Sequence, residues 1–173
     1  RVLPKMLGRL RRDTSRLAET ARISLSQVSD NPTFLPPDAG HPDGQVLSTG
    51  GYHNAAAWPD LNAVAAAYAD LAGLADRHIS RLLDGKTSGL PDGLLSGPDD
   101  DRYLGTLGFA VAGYAEAARH AAQRVFLPAS EGGGFVQNDT PVPTSLAWDG
   151  QQRAGRQLDR ALVEHGQHAR HAQ

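Results

Sequence analysis

Three histidines near the end of the chain have a spacing that invites comparison with a metal site. His165, His168 and His171 recur at every third position, and imidazole nitrogens are common zinc ligands. On a helix, however, residues three apart drift around the surface and leave any one face. The surrounding residues are polar, so we interpret residues 167–173 as a solvated tail and predict no metal site in the chain.

Other patterns that carry chemistry are missing from the sequence. Glu131–Gly134 is rich in glycine, but no strand pattern precedes it and no Lys-Ser/Thr follows it, which argues against a phosphate loop. Ser, His and Asp do not occur in an order that fits a nucleophile elbow. The chain has no cysteine, which excludes disulfides and thiolate metal ligands.

Charge and hydropathy limit the partners that the chain can have. The 173 residues carry a net charge of -2, without the basic excess of a nucleic-acid-binding protein. No apolar run reaches the roughly 20 residues of a membrane-spanning helix. We therefore expect one cytoplasmic domain that binds neither nucleic acid nor membrane.

Apolar residues at intervals of three and four predict helices over residues 4–25, 59–83, 102–125 and 146–163. The predicted class is therefore all-α. The stripe of the first helix consists of Leu7, Leu10, Thr14, Leu17 and Ala21.

The second helix is rich in alanine and has the longest stripe, from Leu61 to Leu82. Such a helix packs closely on several neighbours, which predicts an oligomer core. The fourth helix has Trp148, Leu158 and Leu162 as its apolar anchors.

Long connections separate these helices. Residues 29–58 contain Asp43-Gly44, a turn signal, before a short strand at Val46-Leu47. Residues 86–101 and 128–145 are further loops rich in glycine and proline or aspartate. Loops of this length in a compact protein are more often functional than idle.

Six segments occur in the order in which similar segments occur in the histidine and phenylalanine ammonia-lyases. They are Ser29–Pro32, Leu47–His53, Leu71–Ile79, Ser88–Pro91, Pro128–Ser130 and Gln137–Asp139. Each is weak alone, but six in order, each on the expected loop or helix, make residues 1–166 resemble the C-terminal part of an aromatic amino acid ammonia-lyase.

This resemblance implies a long-helix bundle of the fumarase/aspartase-like type, with long active-site loops and a tetrameric core. The family's cofactor is 4-methylidene-imidazol-5-one, formed from Ala-Ser-Gly, and each active site draws on three subunits. No Ala-Ser-Gly occurs in this sequence. No cofactor-binding residue is therefore expected in this chain. A partner chain or a missing N-terminal portion would supply the cofactor and the catalytic tyrosine loop.

The resemblance also implies roles for individual residues. Arg1 and Asn31 would bind the substrate carboxylate, a task that suits a planar guanidinium. Tyr52 stands where the family has phenylalanine near the electrophile, and its phenol makes it the catalytic candidate. Gln137 and Asn138 would contact the substrate side chain, where a neutral amide argues against histidine as the substrate.

Other matched positions have a structural interpretation or depart from the family. We interpret His53 as a structural hydrogen-bonding residue and Asp139 as structural. Ala121 falls where the family has a glutamate close to the substrate amine, and Gly51 falls where it has asparagine. The run Asp99–Asp101 is interpreted as a solvated turn.

Three hypotheses follow from the sequence. The first is that the chain is one polypeptide of a two-part ammonia-lyase, which would be a heteromeric or tetrameric assembly. The chain would then be inactive alone. An aminomutase of the same family is the close alternative. The second is a non-catalytic scaffold or regulatory subunit, which the alanine at position 121 favours. The third is a helical interaction domain with coincidental matches.

Overall fold

The computed structural model of the protein describes residues 2–27, 32–48, 56–95, 97, 103–125 and 143–171, with the side chains of the last range from 144 to 166. Helices dominate these residues, and the predicted all-α class is confirmed. The elements are α1 Leu3–Ser26, β1 Thr33–Leu35, β2 Gln45–Leu47, α2 Ala57–Leu83, α3 Gly85–Ser88, α4 Leu107–Ala121 and α5 Pro143–His171, with single 3₁₀ turns at Asp92–Leu94 and Leu104–Thr106.

Helix α2 is the central element because its small side chains let three other helices approach it. Its buried residues include six alanines, and Val64 and Ile79 are its largest fully buried side chains. The core continues into α4 through Val111 and Ala115, and into α5 through Leu158. The stripe predicted for this helix is therefore the stripe around which the bundle packs.

The close contacts between helices define their directions. Gly73 of α2 lies against Arg119 and Gly108 of α4 lies against Leu83, so α2 and α4 are antiparallel. Gly155 of α5 lies against Tyr68. Further along both helices, His165 lies near His78, so α2 and α5 are parallel.

Polar side chains join helix α1 to α2, in addition to the packing of Met6 and Leu10 against the core. Asp60 accepts Arg16 Nε at 2.8 Å and Thr20 Oγ1 at 2.6 Å, and Arg9 donates to Asp70. These pairings make α1 antiparallel to α2. The Asp60 side chain is 5% exposed and that of Arg16 is 74% exposed, so one buried carboxylate anchors two groups at the rim of the bundle.

The sequence prediction of a buried stripe on α1 is only partly right. The helix has nearly the predicted bounds, but Leu7 is 49% exposed, and the one buried α1 residue is Asp13. Two of the anchors predicted for α5 are also exposed, Trp148 at 56% and Leu162 at 51%. Periodicity identifies residues that share a face, but the described residues leave Leu7, Trp148 and Leu162 exposed, while the third anchor of α5, Leu158, is buried.

The last two helices differ from the predicted bounds in opposite directions. Helix α4 begins at Leu107 and ends at Ala121, so it is shorter than the predicted 102–125. Helix α5 runs from Pro143 to His171 and continues through most of the segment interpreted as a polar tail. Polar composition alone does not end a helix when its first turns are held by packing.

The strand predicted after the Asp43-Gly44 turn is present as β2, paired antiparallel with β1. Gly44 has a φ of +78°, a backbone conformation that favours glycine. A β-carbon there would also lie 2.7 Å from the Phe34 ring. The turn therefore depends on this glycine to return the chain toward α2.

Asp84 ends α2 and caps the short helix α3. Its side chain accepts the Thr87 hydroxyl at 2.5 Å and the Lys86 N–H at 3.0 Å. These bonds, the Thr87 bond first, hold the pKa of Asp84 below its ordinary value. Because the pKa of Asp84 is lower in the folded state, these hydrogen bonds stabilise the fold at pH values above the ordinary carboxyl pKa. This stabilisation is lost as the pH falls through the folded pKa.

Replacing the anchor of α1 should loosen that helix. Asp60→Ala removes the acceptor of Arg16 and Thr20, so we expect the free energy of unfolding to fall by about 1–3 kcal/mol. Amide hydrogen exchange should accelerate in α1 before it does in α4. Asp76→Ala on the same helix is the matched control, because no side chain among the described residues is hydrogen-bonded to the Asp76 carboxylate. Equal effects of the two changes would contradict the anchoring role.

The close approach of α4 and α5 at Gly150 gives a second prediction. A β-carbon at Gly150 would lie 2.7 Å from the Ala121 carbonyl oxygen, so Gly150→Ala should lower stability by about 1–3 kcal/mol through overpacking. Gly166→Ala is the control on the same helix, since nothing lies within 4 Å there. It should leave the melting temperature unchanged or raise it. A melting temperature that rises in both variants would contradict the prediction, because it would show that α4 and α5 accommodate a methyl group at position 150.

Candidate active site

Four helix ends meet at one end of the bundle. Since α1 and α4 are antiparallel to α2 while α5 is parallel to it, the last turns of α1 and α4 lie beside the first turns of α2 and α5. We call this region the loop end and define it by Gln27, Ala56, Val125 and Thr144. The other end of the bundle carries the start of α1 and the connection between α2 and α4.

A single side chain holds two parts of the loop end together. The Asn62 amide donates from Nδ2 to the Val125 carbonyl at 3.1 Å, and its Oδ1 accepts the Val125 N–H at 3.3 Å. An amide that satisfies both backbone groups of one residue acts as a two-point clamp. The chain that leaves α4 is thereby fixed against the second turn of α2.

A cavity of about 290 Å³ opens beside this clamp. Trp58 and Asn62 of α2 line it together with Arg9 of α1 and Arg124 after α4. The Arg9 guanidinium is neutralised by Asp70, whereas no carboxylate of the described residues forms an ion pair with Arg124. The loop end therefore presents a cationic group and an indole ring beside a fixed segment of backbone, a combination that suits a carboxylate next to an apolar group.

The five candidate residues from the sequence, Arg1, Asn31, Tyr52, Gln137 and Asn138, lie outside the described residues. So do Gly51, His53, Asp139 and the run Asp99–Asp101. Their assigned roles therefore stay predictions. The fold still constrains them through their described neighbours in the chain.

Three of the segments that carry candidates join the described chain at the loop end. Asn31 follows Gln27 in sequence, Tyr52 precedes Ala56, and Gln137 and Asn138 fall between Val125 and Thr144. Arg1 is different, because its neighbour Val2 lies at the other end of α1. That helix has 24 residues, and at about 1.5 Å each its ends are about 36 Å apart.

Ala121, where the resemblance implied a lost glutamate, is described. It is the last residue of α4 and its carbonyl faces Gly150. A methyl side chain cannot transfer a proton. No acid or base acts from this position in this chain.

Sequence reasoning missed Asn62, Arg124 and Trp58 as parts of the loop end. One signal in the sequence could have identified Asn62. It is a polar residue within an alanine-rich helix, and that helix packs against neighbours on several sides. Its partner was not readable, because Val125 is bound through backbone atoms. Every residue except proline offers the same backbone N–H and carbonyl groups, so the identity of residue 125 does not predict this contact.

The described residues contain neither of two general features, a metal cluster and a membrane span. Among the residues whose placement is known, no three His, Asp or Glu side chains are grouped as metal ligands would be. No helix in the same ranges combines the length and apolar character of a membrane span.

Comparison with known protein families gives one match over most of the chain. Residues 1–132 match the family described as aromatic amino acid lyase. Histidine ammonia-lyase of Streptomyces coelicolor is 34% identical over 132 residues, which is 75% of this chain and 24% of that protein. The chain thus spans about a quarter of the length of the curated relatives it matches.

Solved structures show the same fold. Phenylalanine aminomutase of Pantoea agglomerans superposes with a TM-score of 0.74 and 21% identity, over 99% of this chain and 32% of that one. Tyrosine aminomutase of Streptomyces globisporus superposes with a TM-score of 0.75 and 21% identity, over 98% of this chain and 31% of that one. The helices and their order are therefore those of a larger helical enzyme fold, and with the match over residues 1–132 this chain belongs to the aromatic amino acid lyase family.

Proposed function

We propose that this chain is one part of an ammonia-lyase that removes ammonia from an α-amino acid and yields an α,β-unsaturated acid. Its family membership supports the reaction class. The observation that carries the proposal is the convergence at the loop end. The chain around Asn31, Tyr52 and the pair Gln137 and Asn138 joins the bundle at the same end.

The Asn62 clamp supports an ordered site at this end. It ties Val125, the last described residue before the segment with Gln137 and Asn138, to α2, the helix that follows the segment with Tyr52. Positioning of reacting groups by rigid elements is a large part of enzymatic rate enhancement. In this proposal the chain contributes substrate orientation through Asn31, Gln137 and Asn138, and a phenol through Tyr52.

Arg1 joins this site from another copy of the chain. Val2 is about 36 Å from the loop end of the same α1, because α1 is 24 residues long. In this proposal two copies of the chain contribute Arg1 and Tyr52 to one site, because the described neighbours Val2 and Ala56 belong to opposite ends of the bundle. A symmetric assembly that sets the start of one α1 against the loop end of another would complete the carboxylate pocket. The exposed apolar residues of α1 and α5 provide surfaces for such an assembly.

The 173 residues contain no Ala-Ser-Gly, the tripeptide from which the resemblance implies that the methylidene-imidazolone group forms. We propose that another chain, or another part of the polypeptide, provides it together with the catalytic tyrosine loop. The group supplies an electrophile for the substrate. The roles proposed for the residues of this chain are confined to binding, orientation and a hydrogen bond from the Tyr52 phenol.

The proposed substrate has an uncharged side chain. Asn138 is a neutral amide and cannot form an ion pair with a charged ring. The curated relatives are named histidine ammonia-lyases. Turnover of histidine should therefore be compared with turnover of amino acids that have uncharged side chains. An aminomutase is the alternative within the same chemistry, and product analysis separates a β-amino acid from an α,β-unsaturated acid.

A second candidate function is a non-catalytic scaffold, and the observation that favours it is Ala121. The residue ends α4 with a methyl group where the resemblance implied a carboxylate. A scaffold would keep the helix-packing residues while the loop residues were free to change. The two candidates differ in whether the loop residues affect turnover.

The complex as purified should contain the electrophile outside this chain. Native and intact mass spectrometry should reveal a polypeptide lighter than its sequence mass by two molecules of water, and the complex should release ammonia from an amino acid. Tyr52→Phe should lower kcat by about 10²-fold if the phenol acts on the reacting groups. Tyr103→Phe is the matched control, since Tyr103 is a 51% exposed tyrosine at the other end of the bundle. A complex without a dehydrated polypeptide and without turnover would leave the scaffold as the function.

Loss of the Asn62 clamp should disturb the site without unfolding the bundle. Asn62→Ala removes both bonds to Val125, worth about 1–3 kcal/mol together, so the Val125 amide should exchange its hydrogen faster. In the active complex kcat should fall with it. Asn62→Asp keeps the acceptor and loses the donor, so its effect should be intermediate. Unchanged exchange at Val125 in Asn62→Ala would contradict the clamp.

A further inference from the structure

The cavity at the loop end contains one positive charge that the described residues leave without an ion pair. Two arginines line the cavity, Arg9 and Arg124. The Arg9 guanidinium lies against two carboxylates, that of Asp13 at 3.4 Å and that of Asp70. Arg124 is exposed and has no such partner within the described ranges. An anion can therefore bind to Arg124 without displacing a carboxylate of this part of the chain.

Apolar residues line the cavity beside Arg124. They include Trp58, Ala63 and Ala66. Asn62 adds an amide, but its Nδ2 and Oδ1 atoms are both bonded to the backbone of Val125. The volume of about 290 Å³ is close to the lower limit of ligand pockets, which measure roughly 300–1,000 Å³. The cavity thus has space for a compact ligand with one anionic group and one apolar group.

No acidic residue is among those that line this cavity. An α-amino acid has an ammonium group next to its carboxylate, and in the cavity this group would meet two arginines and no carboxylate. Like charges repel, and a charge that loses water without gaining a partner is costly. A carboxylic acid without an amino group avoids both costs. The lining therefore favours such an acid over an amino acid.

We propose that this cavity is a binding site for a monocarboxylate that has an apolar or aromatic group and no amino group. Arg124 binds the carboxylate, and Trp58 contacts the apolar group. An α,β-unsaturated acid belongs to this class, because elimination removes the ammonium group and leaves the carboxylate and the side chain. Equating the ligand with that product rests on the proposed function, whereas binding of the acid does not.

The two tryptophans of the chain, Trp58 and Trp148, allow binding to be located. With ¹⁵N-labelled tryptophan in this chain alone, two indole N–H signals are expected in the NMR spectrum of the full chain or of its complex, and Trp148→Phe assigns them. The probe is 3-phenylpropanoate, which has no amino group to eliminate. It should shift the Trp58 signal to saturation and leave the Trp148 signal unchanged, because Trp148 does not line the cavity.

Arg124→Gln should raise the Kd of the probe at least about tenfold, since the charge-assisted hydrogen bonds to the carboxylate are lost. Arg77→Gln is the matched control. Arg77 is an exposed arginine of α2 that is outside the cavity and has no ion pair with a described residue, so this variant should bind like the unmodified chain. At the Trp58 signal, 3-phenylpropanamide and phenylalanine should each bind at least about tenfold more weakly than the acid.

Equal affinity for the acid and its amide would overturn the proposal, and so would unchanged affinity in Arg124→Gln. A Trp58 signal that does not respond to the acid would also overturn it, including the case in which an acidic side chain of a partner fills the cavity in the complex. The three ligands are compared on the unmodified chain, so that comparison decides the question even if Arg124→Gln fails to fold. Binding without turnover of any amino acid would support this site and contradict the proposed function, whereas turnover without binding would contradict the site alone.

Discussion

The close packing of α2 against its neighbours is the constraint on which the rest of the fold depends. Alanines such as Ala67, Ala72 and Ala75 are almost fully buried on this helix, so helix backbones approach one another with little side chain between them. Glycines of α5 do the same from the other side, where Gly150 meets the Ala121 carbonyl and Gly155 meets Tyr68. Small residues at these contacts leave few alternative ways for the helices to pack.

This packing determines which helix ends meet. With α1 and α4 antiparallel to α2 and α5 parallel to it, the segments near Asn31, Tyr52, Gln137 and Asn138 all join one end of the bundle. The Asn62 clamp and Arg124 lie at that end as well. The proposed site thus follows from helix direction, whereas Val2, the described neighbour of Arg1, lies at the opposite end of α1.

The helices were largely predictable from the sequence, because apolar spacing directly reports a helical face. The bounds of α2 and the strand after Asp43-Gly44 agree with expectation. The sequence did not predict which of these helix faces would be buried against other helices. The stripe of α1 reads as a buried face, but Leu7 is half exposed and Asp13 is the buried residue. The extension of α5 to His171 was also missed, because its polar composition resembles a tail.

The candidate site was predictable only through resemblance to a family. Segments such as Ser29–Pro32 and Leu71–Ile79 pointed to the lyase family, and the family is confirmed by the match over residues 1–132, which includes both. The resemblance did not identify Asn62 and Arg124 as residues of the loop end. Asn62 binds backbone atoms of Val125, and Arg124 is of interest only because it lines the cavity there. The roles assigned to individual loop residues stay predictions.

The exposed apolar residues of α1 and α5 are the basis of our proposal that this chain folds as part of a larger assembly. Leu25 is 89% exposed, and Leu7, Leu162 and Val163 are each about half exposed, which is a large apolar surface for a chain of this size. Sedimentation velocity of the isolated chain, combined with thermal unfolding followed by circular dichroism, tests this most directly. Self-association, or loss of a cooperative transition until a partner polypeptide is added, is the predicted result. A monomer that unfolds in one cooperative transition would contradict it, because the chain would then need no other chain to cover these faces.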